Sequence, residues 1–212
     1  MKLVLFGATG TIGQRILSEA LRRGHSVTAV ARNPSKLQTA DTNVTAVAGD
    51  ILDADQVAKI VAGHDAAINA TSPAHDAPEV VTDVARSLIT GLKSAEVKRL
   101  LIVGGAGSLE VAPGLELVDT PEFPAAWKPI AIAHRNVLEV YRAEAGDLDW
   151  TYFSPAAFIQ PGERTGVFRV GGDQLLTDAE GQSRISAEDF AIALIDEIEQ
   201  PKHIKQRFTA AY

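Results

Sequence analysis

Cysteine is absent from the 212 residues of the chain. This absence excludes disulfide bonds, metal sites built on thiolates and a cysteine nucleophile. No apolar run approaches the roughly 18 residues that a membrane-spanning helix needs, and the first residues carry no cleavable signal pattern. We therefore expect a cytoplasmic protein that does not enter a membrane.

Basic residues are also scarce, with 20 Lys and Arg against 27 Asp and Glu and a formal net charge of −7. Nucleic-acid surfaces need clustered positive charge, so a nucleic-acid partner is not expected. The chain has no H-E-x-x-H motif or comparable ligand cluster for a metal, and no G-x-S-x-G elbow of a hydrolase. We therefore expect the partner to be a small-molecule substrate. The sequence does not decide between a monomer and a homodimer.

Apolar, β-branched segments alternate with amphipathic ones along most of the chain. Strands are predicted in KLVLFGA, SVTAVA, NVTAVAGD, HDAAINA, RLLIVGG and DWTYFS, with a last strand in QRFTAAY. This alternation predicts one α/β domain over residues 1–212, in which a doubly wound parallel sheet is covered by helices on both faces. Its ligand crevice is expected at the carboxyl ends of the strands.

The pattern changes in two places on the substrate side. Residues 106–129 form a long, proline-containing loop that can close over a substrate, and a helix is predicted from about Ala131 to Ala145. After Pro155, TGVFRVGGDQLL alternates around Gly171 and Gly172 and predicts a hairpin. Residues 155–186 are therefore expected to form a small C-terminal, substrate-side extension.

Three glycines separate the first strand from the first helix. Gly7 permits a tight turn, Gly10 removes a Cβ from the path of a ligand, and Gly13 lets helix and strand pack closely. Because N–H groups at the start of a helix attract anions, the G-x-x-G-x-x-G spacing predicts a site for a dinucleotide pyrophosphate. The alternative is a turn required only by packing. The cofactor-binding residues expected at this turn also include Thr9, Thr11 and Ile12.

The end of the second strand bears on the choice of cofactor. NAD-binding chains usually carry an acidic residue here, whereas this sequence reads VARNPSK. Arg32 suits the 2′-phosphate of NADP, and Lys36 can add positive charge. We therefore expect NADP(H) to be favoured over NAD(H); the alternative is a solvated basic loop.

Residues after the third and fourth strands are the remaining candidates for cofactor contacts. Asp50 can accept a hydrogen bond from the adenine amino group while Ile51 packs on the ring. The alternative is that Gly-Asp only turns the chain into the next helix. Asn69 can anchor the lip of the crevice, with Ala70 and Thr71 near the middle of the cofactor.

The segments GATGTIG, GHSVTAVARNPSK, GHDAAINA, VKRLLIVGGAGSLEV and LDWTYFSPAAFIQPGERTG together resemble the atypical short-chain dehydrogenase/reductases. In particular they are similar to NAD(P)H-binding proteins of the biliverdin reductase B and NADH-flavin reductase type. The resemblance covers nearly the whole chain. It implies a Rossmann-type fold, a nicotinamide cofactor with Pro155 at its nicotinamide shelf, and reduction of a conjugated acceptor.

The chain departs from that superfamily because it lacks the Tyr-x-x-x-Lys pair: none of its three tyrosines has Lys four residues later. Hydride reduction of a simple ketone needs a positioned proton donor, whereas a flavin or quinone delocalises the added charge. We therefore expect a NAD(P)H-dependent oxidoreductase that reduces a quinone, a similar acceptor, or a flavin such as FMN or FAD as substrate. The alternative is a non-catalytic redox sensor resembling the NmrA-like regulators.

Three side chains are candidate catalytic groups. Ser108, after the fifth strand, can donate to a substrate oxygen or merely cap its own loop. His134, on the helix that follows, can hold the nicotinamide ribose or be an ordinary surface or core residue. His75 is expected on a lip of the crevice and is another candidate proton donor. The aromatic residues that can stack on a flat acceptor, or instead pack within a lid, are Phe123, Trp127 and Phe158.

Overall fold

The computed structural model describes residues 1–37, 41–73 and 76–212, and within these ranges it contains twelve strands and five α-helices. None of these helices is both long enough and apolar enough to cross a bilayer. The helices are α1 (Thr11–Arg22), α2 (Ala54–Val61), α3 (Val80–Ser94), α4 (Lys128–Glu144) and α5 (Ala187–Glu199). The strands are β1 (Lys2–Phe6), β2 (Ser26–Ala31), β3 (Val44–Ala48), β4 (Ala66–Asn69), β5 (Arg99–Val103), β6 (Glu110–Ala112), β7 (Leu115–Glu116), β8 (Asp149–Ser154), β9 (Phe158–Gln160), β10 (Arg169–Gly171), β11 (Arg184–Ser186) and β12 (Gln206–Ala211).

Eight of these strands form the central sheet, in the order β10-β12-β8-β5-β4-β1-β2-β3. All neighbours are parallel except β10, which is antiparallel to β12. The strand order reverses direction between β1 and β4, which places a crevice at their carboxyl ends. The predicted doubly wound parallel sheet is therefore confirmed.

Helices cover both faces of the sheet because successive strand residues point to opposite sides. On β1, Leu3 and Leu5 belong to one core cluster and Val4 and Phe6 to the other. The first cluster packs beneath α1 and α5, and the second beneath α2, α3 and α4. A stack of three rings strengthens the first cluster: Phe153 lies 3.9 Å from Phe190 and 4.0 Å from Phe208, measured between ring centroids.

Helix α4 begins three residues before the position that the sequence suggests. Pro129 occupies its first turn. A proline is tolerated there because the first N–H groups of a helix have no intrahelical acceptor. The proline that seemed to extend the preceding loop therefore starts the helix.

The predicted hairpin around Gly171 and Gly172 is wrong. Strand β10 pairs with β12 at the edge of the central sheet, and the chain after it hydrogen-bonds to Glu110 instead of folding back on β10. Within the same stretch, β9 pairs in parallel with β11. The local alternation indicated one strand of this stretch, β10, correctly, but antiparallel pairing with a distant segment produces the same local pattern.

Candidate functional site

The first turn is shaped by contacts between backbone atoms. Gly7 has φ of +82°, and a Cβ on it would lie 2.5 Å from the carbonyl oxygen of Ala70. A Cβ on Gly13 would lie 2.0 Å from the carbonyl oxygen of Gly7. Both distances are far below normal contact, so packing of the turn against β4 and α1 already requires these two glycines.

Gly10 differs from its two neighbours because packing does not require it. A Cβ there would meet only the carbonyl oxygen of Gly7, at 3.4 Å, and the residue is exposed. It is the N-cap of α1 but offers no side chain to the helix, whose first turn holds no acidic residue. Among the described residues no hydrogen-bond acceptor meets the amides of Thr11 and Ile12. The turn therefore has free donors and an open approach, as an anion site needs.

Three further residues of the turn, Thr9, Thr11 and Ile12, support its conformation. The carbonyl of Thr9 accepts a hydrogen bond from the side chain of Gln14 at 3.0 Å, and that of Thr11 accepts one from Arg15 at 3.3 Å. Ile12 is half-buried and packs against the core beneath α1. These contacts orient the amides without using them.

Arg32 lies immediately after β2 with an exposed side chain. Among the described residues its guanidinium has no ion-pair partner. Asn33 caps the short 3₁₀ helix Pro34–Lys36 by accepting from the amide of Ser35. Arg32 therefore lies at the start of this loop, directly after the strand that pairs with β1. The side chain of Lys36 lies outside the described part of the chain.

Asp50 and Ile51 connect β3 to α2. One carboxylate oxygen of Asp50 accepts from the amide of Leu52 at 3.0 Å, while its own amide donates to the side chain of Gln56. These bonds fit the simpler alternative, a turn that leads into a helix. Asp50 nevertheless remains exposed, and Ile51 is only partly buried against the second core cluster.

The end of β4 forms the opposite lip of the crevice. Asn69 is buried, and its side-chain oxygen accepts from both the amide and the hydroxyl of Thr71, at 3.0 and 2.7 Å. Asn69 also hydrogen-bonds to the hydroxyl of Tyr141. The sequence predicted an anchor at this position, and the anchor holds Thr71 next to Ala70, whose carbonyl contacts the Gly7 turn.

His134 lies on α4 and lines the same small crevice as Asn69, Thr71 and Tyr141, together with apolar side chains of α3, α4 and β5. Its Nδ1 lies 3.3 Å from the hydroxyl of Tyr152. Burial lowers the pKa of His134 from 6.5 to about 4, so its ring is neutral at pH 7. Burial also raises the pKa of Tyr141 and of Tyr152.

Ser108 is buried in the loop after β5, with 3% of its surface exposed. Its hydroxyl and its carbonyl both accept hydrogen bonds from Nη1 of Arg207, at 2.8 and 2.7 Å. Arg207 in turn bonds to Asp173 at 2.8 Å. These bonds favour the alternative in which Ser108 supports its own loop, because its hydroxyl and carbonyl tie the loop after β5 to β12.

The remaining predicted site residues are Pro155, three aromatic residues and His75, and all but His75 lie in the described part of the chain. Pro155 is buried directly after β8. Phe158 and Trp127 are 68% and 53% exposed, and Phe123 is half-buried. The high exposure of Phe158 and Trp127 favours the first alternative, stacking on a flat ligand, over packing within a closed lid. His75 lies outside the described residues.

Sequence reasoning missed the part played by Tyr152 and Tyr141. In the sequence, both tyrosines bear only on the absent Tyr-x-x-x-Lys pair. The available signal was the pair Gly104 and Gly105, because a Cβ on Gly104 would lie 2.0 Å from the ring of Tyr152 and one on Gly105 2.9 Å from Cβ of His134. Two adjacent glycines after a buried strand indicate that side chains pack there.

Comparison with known proteins gives consistent matches along the whole chain. Residues 7–201 match a family described as NAD(P)H-binding. A Burkholderia pseudomallei protein provisionally described as exported is 51% identical, with a TM-score of 0.90 and full coverage of both chains. A provisionally named epimerase from Bacteroides thetaiotaomicron is 43% identical, with a TM-score of 0.93 over 100% of this chain and 96% of that one. A provisionally named NADH-flavin reductase from Streptococcus pneumoniae is 33% identical, with a TM-score of 0.88 over 100% and 99%.

The burial of His134 predicts a pH dependence of stability. Its pKa is about 4 in the folded chain and about 6.5 when unfolded, so between these values the unfolded state binds more protons. The free energy of unfolding should therefore fall as the pH falls from 7 to 4.5, and His134 should contribute about 2–3 kcal/mol of that fall.

Urea unfolding of wild type and His134→Gln at the two pH values measures this contribution. Subtracting one protein from the other removes the contributions of the other four histidines and of the carboxylates. A difference between the two proteins that does not change with pH would contradict the burial of a neutral ring.

Proposed function

The chain belongs to the NAD(P)H-binding family, and on that basis we propose that it is a NAD(P)H-dependent reductase of a flavin, a quinone or a similar conjugated acceptor. We further propose NADPH as the favoured cofactor, a cytoplasmic location, and action as a monomer or homodimer on a small molecule. A nicotinamide cofactor bound at the glycine turn supplies the hydride.

Open space and free amides at the first turn support the binding step. Gly10 leaves the approach to the amides of Thr11 and Ile12 clear. A pyrophosphate there would receive hydrogen bonds from the start of α1 and the favourable end of the helix dipole. From the first turn, an extended dinucleotide would run towards Arg32, after β2, in one direction and towards the His134 crevice, beyond β4, in the other.

The choice of acceptor rests on one observation: the titratable side chains that line the described crevice are poor proton donors at pH 7. His134 is the neutral imidazole at pH 7 and not the acidic imidazolium, and the pKa of Tyr141 is raised by burial. Hydride addition to a simple ketone would leave an alkoxide without a donor, whereas a conjugated acceptor spreads the charge and takes its proton from water. An epimerase that oxidises and re-reduces a hydroxyl needs the same donor, so we do not extend the Bacteroides protein's name to this chain.

Arg32 supports the preference for NADPH. It occupies the position where an acidic residue would hold ribose hydroxyls, and its guanidinium is exposed and has no ion-pair partner among the described residues. A guanidinium can form two charge-assisted hydrogen bonds to a phosphate. The same group gives no comparable advantage to the unphosphorylated ribose of NADH.

Steady-state turnover tests the proposed activity directly. With NADPH and a panel of FMN, riboflavin and quinones, we expect at least one acceptor to be reduced at about 1 per second or faster, the usual lower range for enzymes. A blank without protein gives the uncatalysed rate. Tight NADPH binding with no oxidation above the blank across the panel would contradict a reductase and favour the NmrA-like sensor.

Substitution of Arg32 by alanine tests the cofactor preference. Loss of a charge-assisted contact costs about 1.5–3 kcal/mol, so Arg32→Ala should weaken NADPH binding about 10–100-fold and leave NADH binding nearly unchanged. Arg86→Ala is the matched control, because Arg86 is an exposed arginine on α3 whose ion pair is with Glu144. Equal dissociation constants of the wild type for the two nucleotides, or an unchanged NADPH constant in the variant, would overturn the preference.

A further inference from the structure

The hydroxyl of Tyr152 has three polar neighbours. It donates to the carbonyl oxygen of His134 at 2.9 Å, the amide of Gly105 hydrogen-bonds to it, and Nδ1 of His134 lies 3.3 Å away. A phenol has one proton to donate. Because a carbonyl oxygen can only accept, this proton goes to the carbonyl, and the phenol oxygen faces the imidazole with a lone pair.

The imidazole must therefore supply the proton of the Nδ1 contact. A neutral imidazole carries its proton on one nitrogen only, and the other nitrogen is then an acceptor. We propose that Tyr152 fixes His134 as the Nδ1–H tautomer, so that Nε2 accepts a hydrogen bond from an O–H or N–H group of the ligand in the crevice. Tyr152 is thus a positioning residue that acts through His134.

The protonation states of both residues are consistent with this assignment. Burial is the cause that lowers the pKa of His134, and it also raises the pKa of Tyr152. Near pH 7 the phenol keeps its proton and the imidazole carries one. The titratable neighbours of the pair are Tyr141, whose ring centre lies 6.2 Å from that of Tyr152, and Arg207, whose charge acts on Tyr152.

The two rings are held in place by the backbone. A Cβ on Gly104 would lie 2.0 Å from the Tyr152 ring, and a Cβ on Gly105 would lie 2.9 Å from Cβ of His134. Tyr152 is completely buried on β8, between the neighbouring strands β5 and β12. The Tyr152–His134 contact is therefore part of the packed core, although His134 also lines the crevice.

The tautomer determines which ligand groups fit. A bare Nε2 attracts hydroxyl or amide N–H groups and repels groups that only accept, such as a ketone oxygen or a phosphate. It also means that His134 orients its ligand and does not protonate it. The identity of the ligand rests on the proposed function: the donor belongs either to the nicotinamide half of the cofactor, as a ribose hydroxyl or carboxamide N–H, or to the electron acceptor.

Nitrogen NMR of the ligand-free protein tests the tautomer without reference to any activity. With ¹⁵N-labelled histidine at pH 7, we expect His134 to show a protonated Nδ1 and an unprotonated Nε2, with its signals assigned by their absence in His134→Gln. Tyr152→Phe should convert this pattern to a mixture or to the Nε2–H tautomer. Tyr141→Phe is the matched control, because its hydroxyl contacts Asn69, and it should leave the pattern unchanged.

A protonated Nε2 in the wild type would overturn the proposal even if Tyr152→Phe fails to fold. An unchanged pattern in a folded Tyr152→Phe would overturn the role of Tyr152. If NADPH does not bind but the Nδ1–H tautomer is found, the proposed function fails and the assignment of the tautomer stands.

Ligand binding then identifies the donor. His134→Phe removes the acceptor, whereas His134→Gln can keep an amide oxygen near the position of Nε2. If the donor belongs to the nicotinamide half, the dissociation constant of NADPH should rise about tenfold in His134→Phe and less in His134→Gln. If the donor belongs to the acceptor, only the KM for the acceptor should rise, again more in His134→Phe than in His134→Gln. Less than a twofold change in both quantities would refute a ligand contact at Nε2.

Discussion

The close packing of backbone atoms at the first turn is the constraint on which the site depends. The Gly7 turn presses against the Ala70 carbonyl at the end of β4, and α1 begins so close to this turn that Gly13 has no room for a side chain. These contacts bring the start of α1 to the crevice between β1 and β4, where the strand order reverses. Of the three glycines in this turn, Gly10 is the one that the protein's own packing does not require. Under the proposed function, its lack of a side chain leaves room for the pyrophosphate of the cofactor.

Two adjacent glycines after β5, Gly104 and Gly105, also allow close packing, here on the substrate side of the crevice. Gly104 and Gly105 allow Tyr152 and His134 to pack directly on the backbone after β5, and Arg207 ties the same loop to β12 through Ser108. The polar side chains that line the crevice, which are those of Asn69, Thr71, His134 and Tyr141, form a wall that is neutral at pH 7. Such a wall orients a ligand through hydrogen bonds but supplies no acid, which agrees with hydride transfer to an acceptor that needs none.

Much of this could be predicted from the sequence, because the strands, the first turn and the alternation are local patterns. The apolar strands and the parallel sheet agree with the structure, and a turn does join β1 to α1 where the three glycines indicate it. The failures concern contacts between distant segments. The pairing of Arg169–Gly171 with Gln206–Ala211, the burial of Ser108 beneath Arg207, and the contact between His134 and Tyr152 join residues far apart in the chain. Local spacing carries no information about which distant partner a segment finds.

The central claim is that the first turn binds the pyrophosphate of a nicotinamide dinucleotide, and calorimetric titration of wild type and Gly10→Ala with NADPH tests it most directly. The backbone of Gly10 has φ of −73°, which alanine adopts freely, and its Cβ would meet no protein atom closer than 3.4 Å. The variant should therefore differ in free energy of unfolding by less than about 1 kcal/mol. The account predicts that the wild type binds NADPH and that the variant binds it at least about tenfold more weakly, a loss of ~1.4 kcal/mol or more. A wild type that binds neither NADPH nor NADH, or a folded variant that binds NADPH as well as the wild type does, would contradict it.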